Sequence, residues 1–90
     1  MTPEALNALS NLNLSDIALV IRNDWKKVWF GAVPYLDALS LMESIDQNYG
    51  CDTGSSVVAY FLSNATNWKG EIARAVKAEL NKRLKATYKR

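Results

Sequence analysis

Arg22, Lys26 and Trp29 stand four and three residues apart, the spacing that sets side chains on one face of a helix. A guanidinium, an ammonium and an indole so placed have the chemistry to hold a phosphate and stack a base. Helical amphipathicity gives them a second role, with Trp29 in the core and the two cations fringing it, and that packing role is the favoured one. A larger cationic set follows in Arg74, Lys77, Lys82, Lys85 and Lys89, with Arg90 last. A positive stripe of this kind suits a nucleic-acid backbone or a nucleotide, or an acidic surface on another protein. It is also what a solvated helix face looks like, its cations paired with Glu71 and Glu79 and complementing the helix dipole.

The charge is unevenly distributed. Eight of the eleven Lys and Arg residues lie after Trp68, opposed only by Glu71 and Glu79, for a net +6. Residues 1–68 carry three cations against seven carboxylates, net −4, so the total of +2 conceals a polar molecule. The acidic part is itself a partner for the basic helix, and self-association therefore competes with a foreign polyanion.

Catalytic chemistry is harder to find. There is no histidine, which removes the commonest general base and metal ligand and any Ser-His or Cys-His pair. Cys51 is alone and beside Asp52, with no neighbouring cation to lower its pKa, and reads as a small inert thiol. Glu43 and Asp46, three apart on an expected helix, read as a solvated acidic face before a magnesium or acid/base pair. Gly50, Gly54 and Gly70 match neither a phosphate-binding loop nor a dinucleotide fingerprint. The expectation is a protein that is not an enzyme and takes no cofactor and no metal.

The elements that must position these residues read as helices. Ninety residues, 49% of them hydrophobic, with four Gly and two Pro, describe an ordered domain. A chain of this size buries about 60–65% of its unfolded surface. Thr2, Pro3 and Glu4 open a short helix ending near Asn11. A second starts at Asn13 to Ser15, with Ser15 as cap and Leu14 stapled to Leu19, and carries Ile17, Val20, Ile21, Trp25 and Val28 to a stop at Gly31. Val33-Pro34 starts a third, whose face Leu36, Leu39, Met42, Ile45 and Tyr49 ends at Gly50. Val57 to Leu62 suits a strand by composition, but no second strand candidate exists to pair with it, so it reads as a helix capped from Asp52 to Ser56. From Trp68 the last helix shows Ile72, Val76, Leu80, Leu84 and Tyr88 at intervals of four. Trp25, Trp29, Phe30 and Tyr35 surround Gly31 as either a packing centre or a contact surface.

Several blocks together resemble a family of small proteins encoded by tailed bacteriophages. They are Asp24-Trp25 with Val28, Phe30 to Leu36, Tyr49-Gly50 with Asp52, Ser56 to Leu62 with Asn64-Ala65, Trp68-Lys69-Gly70, Val76-Lys77 and Glu79-Leu80, spanning Arg22 to Leu84. The resemblance carries no functional residue over to this chain. It implies a setting in which small phage proteins bind and block a host or defence component.

The expected architecture is all-α, a compact bundle of four or five short-to-medium helices forming a single domain over 1–90, with the corner from Trp25 to Tyr35 packed against the helices starting near Asp52 and Trp68. The expected function is protein–protein contact with a host protein or a second copy, ahead of nucleic-acid or nucleotide binding by the basic face. No leader or membrane-spanning run is read in the sequence, and a lone cysteine fits a reducing cytoplasm, that of the host if the protein is phage-encoded.

Overall fold

Asn13 begins the first long helix by turning its side chain onto the backbone: its Oδ1 accepts from the Asp16 N–H at 2.9 Å and from Ser15 Oγ at 2.7 Å. The cap is therefore Asn13, with Ser15 as its support. The computed structural model describes residues 8–49 and 52–88. It contains a 3₁₀ turn Ala8–Asn11, helices α1 Leu14–Asp24, α2 Val33–Leu39, α3 Gly54–Ser63 and α4 Glu71–Tyr88, and a minimal antiparallel ribbon of β1 Asn48–Tyr49 and β2 Asp52–Thr53. The fold is all-α, as the periodicity predicts. Its radius of gyration, 12.1 Å, equals the roughly 12 Å of a compact chain of this length. The Thr2, Pro3 and Glu4 helix start lies outside the described residues, as do Gly50 and Cys51.

Three helices bury the spacings that their sequences carry. Leu14, Ile17, Ala18 and Ile21 line the inner side of α1, Val57, Val58 and Phe61 that of α3, and Ala73, Val76, Leu80 and Leu84 that of α4. Leu36 and Leu39 of α2, with Met42 just beyond it, complete one core shared by all four helices. Each large side chain so buried contributes on the order of 1.5–3 kcal/mol. The Val57–Leu62 segment is helical, with Thr53 Oγ1 accepting from the Ser56 N–H at 3.1 Å as its cap. Among the described residues no helix is long and apolar enough to cross a membrane.

Helices α1 and α2 are both shorter than predicted. α1 stops at Asp24, not Gly31: Trp25 still donates its N–H to Ile21 O at 2.8 Å but leaves helical geometry. Its ring is drawn inward, stacking on Trp68 at 5.8 Å and meeting Phe61 edge-on at 6.3 Å. The Leu14–Leu19 staple does not form, because Leu14 is buried and Leu19 is 61% exposed. α2 ends at Leu39, where Ser40 Oγ donates to Asp37 O and Leu41 and Met42 tighten into three-residue bonds. Glu43 O then accepts from the Leu14 N–H at 3.0 Å, the Glu43 N–H goes to Gln47 Oε1, and Gly54 donates to Gln47 O. These bonds use polar groups that a helix would have used in its own ladder. Tyr49 accordingly sits in the ribbon, pairing with Asp52, and Glu43 and Asp46 share no helix face.

Candidate functional site

Gly70, at φ +116°, lets the chain turn sharply before α4 and delays that helix from Trp68 to Glu71. The displaced Trp68-Lys69-Gly70 turn packs beside the first two turns of α4. Between them lies an open cleft of about 320 Å³ lined by Trp68, Lys69, Gly70, Ala73, Arg74 and Lys77. Lys77 Nζ donates to Trp68 O at 2.6 Å and lies 6.0 Å from the Trp68 ring centre. Its pKa is lowered, mainly because burial disfavours the charged form and secondly because Lys69 repels it. Trp68 itself is 2% exposed, and its Nε1 donates to Asp24 Oδ2 at 2.7 Å.

The predicted basic face divides. Arg74, Lys82 and Lys85 are exposed, Lys77 is half-buried in the cleft, and Lys89 lies outside the described residues. Lys82 and Lys85 flank an open depression along α4 with Ala78, Asn81 and Ala86. Lys69 joins Arg74 and Lys77, and sequence reasoning missed it because it precedes the helix whose periodicity defined the face. Arg83 is committed to structure: its Nε donates to Glu79 Oε2 at 2.8 Å and its Nη2 to Leu9 O and Leu12 O at 2.9 and 2.7 Å. The pairing of Glu79 with a following arginine is as the four-residue spacing predicts.

The predicted group Arg22, Lys26 and Trp29 does not assemble. Only Arg22 is on a helix, and it pairs with Asp37 across to α2; Lys26 and Trp29 lie beyond the end of α1. Nor is Trp29 a core residue. It is 43% exposed and packs against Phe30, which is 74% exposed, at 4.2 Å between ring centres. The aromatic corner thus separates into a buried half, Trp25, and an outer half, Trp29 and Phe30 with exposed Val33. Gly31 continues that outer half toward α3, since a Cβ there would meet both the Trp29 indole and Asn64 Oδ1. Asn64 Nδ2 in turn bonds Tyr60 O, and Tyr60, 51% exposed, leans on Tyr35 at 5.4 Å. The spacing of Tyr60 and Val33 gave no sign of this patch, which depends on the α2–α3 packing.

Among the described residues no group of three or more His, Cys, Asp or Glu side chains is placed to hold a metal ion. Comparison with protein-family models, with curated proteins and with solved structures finds no match to this chain.

Proposed function

We propose that this chain is a non-enzymatic binding protein acting by protein–protein contact through Trp29, Phe30, Val33 and Tyr60. The observation that supports this reading is the exposure of the large aromatic side chains Trp29, Phe30 and Tyr60 on a molecule that buries Trp25, Phe61 and Trp68. Trp and Tyr at the centre of a contact carry large apolar area at low conformational cost. The occupant is a partner protein that presents apolar side chains within an acidic rim. Lys26 and Lys27, just before the patch, are exposed and have no salt bridge among the described residues, so they are free to meet such a rim. The bacteriophage resemblance supplies a setting, the host cytoplasm, and a class of target, a host or defence component.

The test is Trp29→Ser combined with Phe30→Ser, with helicity checked by circular dichroism, in a pull-down from host lysate with and without nuclease alongside a measured solution mass. A nuclease-resistant partner held by the native protein and lost by the folded variant is the expected result. Unchanged capture by the variant overturns the proposal. A native mass of two chains that falls to one in the variant makes the occupant a second copy, and the foreign partner is then wrong.

A further inference from the structure

The cleft at the start of α4 holds three cations and no carboxylate in its lining. Lys69 and Arg74 are exposed and make no salt bridge among the described residues, while Lys77 meets the Trp68 carbonyl and ring but no carboxylate among them. Cations gathered in this way raise one another's energy, and an anion placed among them relieves it. The cleft has an aromatic wall but offers no stacking platform, because Trp68 is buried against Trp25. It therefore recognises charge and not bases. Lys85 lies eleven residues after Arg74, about 16 Å along the axis and rotated by only about 20°, so the positive line continues well beyond one phosphate. A polymer of phosphates fits that line better than a lone anion.

We propose that the cleft formed by Lys69, Gly70, Arg74 and Lys77 takes a phosphate group of a nucleic-acid backbone, with Lys82 and Lys85 meeting phosphates further along, independently of base sequence. The contact is separate from the aromatic patch, so either can fail without the other.

Anisotropy of end-labelled single- and double-stranded oligonucleotides of two unrelated sequences tests it, over about 50 to 200 mM salt. The native protein should bind both sequences alike. Lys69→Ala with Arg74→Ala should weaken binding to duplex by roughly tenfold and flatten the slope of log K against log salt by about 1.8, the loss of two phosphate contacts. Lys82→Glu with Lys85→Glu should weaken it further, and Trp29→Ser with Phe30→Ser should leave it unchanged. No binding at low salt, or an unaltered slope in the Lys69/Arg74 variant, overturns the proposal. So does equal competition by poly-glutamate at matched charge, which would make the cleft a generic acidic-surface contact. Amide shifts at Lys69 and Gly70 with inorganic phosphate but no oligonucleotide binding would assign the cleft to a free phosphate and overturn the backbone.

Discussion

The indole N–H of Trp68 donates to Asp24 Oδ2 at 2.7 Å, tying the last residue of α1 to the turn before α4 across 44 positions of sequence. The bond satisfies the polar edge of a ring that is otherwise enclosed. Asp24→Asn retains an acceptor and should cost about 1 kcal/mol, whereas Asp24→Leu leaves the indole N–H unpaired and should cost about 2 kcal/mol. Urea midpoints at constant m-value measure both, and equal losses for the two variants would show that the carboxylate is not the partner that matters.

Arg83 joins the 3₁₀ turn to α4 with one guanidinium, two carbonyls and one carboxylate. Lysine cannot reproduce that fork. Arg83→Lys should therefore destabilise by about 2 kcal/mol, close to Arg83→Ala. Faster hydrogen exchange should appear at the Leu12 N–H, which closes the turn onto Leu9 O. A fully stable Arg83→Lys protein would refute the clamp.

Gly54 begins α3 where the Ile45 backbone passes so closely that a Cβ would overlap its carbonyl, with Gln47 O a further 2.9 Å neighbour. Backbone cannot yield as a side-chain end can. Gly54→Ala should destabilise by about 2 kcal/mol or more, despite the better helix propensity of alanine. A thermal melt at or above the native temperature would contradict this.

Two phenylalanines should respond very unequally to truncation. Phe61 is wholly buried and meets the Trp25 ring edge-on, so Phe61→Ala should cost about 3–5 kcal/mol. Phe30→Ser should change stability by less than about 0.5 kcal/mol. Parallel denaturation curves check the pair, and comparable losses would place Phe30 in the core.

Lys77 releases its proton below the usual lysine value of 10.5, first because it is partly desolvated and then because Lys69 is near. Between its lowered pKa and 10.5 the unfolded chain binds more protons than the folded one, so this group's contribution to stability increases as pH rises through that window. Below the window its full penalty is present. Titration followed at the Lys77 side chain by NMR should give a midpoint under 10.5, and Lys69→Ala should raise it part of the way back. A midpoint unmoved by Lys69→Ala would mean that the two ammoniums do not sense each other.

The core and the helical class were legible because Ile17, Ile21, Val76, Leu80 and Leu84 recur at helical intervals that packing then obeys. Helix ends were not. Trp25 leaves α1 for a ring 43 residues away in sequence, and Ser40, Glu43 and Gln47 spend their hydrogen bonds on a loop that periodicity alone extends as helix. The same limit governed the candidate sites. Arg74, Lys82 and Lys85 were readable from one helix, but Lys69 enters the cleft only through the Gly70 turn, and Tyr60 reaches the aromatic patch only through the α2–α3 contact.

The three tryptophans divide into a near-parallel pair, Trp25 and Trp68 at 9°, and a solitary outer indole, Trp29. The two shielded rings emit from inside the core, while acrylamide reaches the exposed Trp29. The native chain thus carries two optical signals with different meanings. A ligand that covers the outer surface shifts and protects the emission of Trp29 with the shielded pair unchanged, and unfolding exposes all three indoles together.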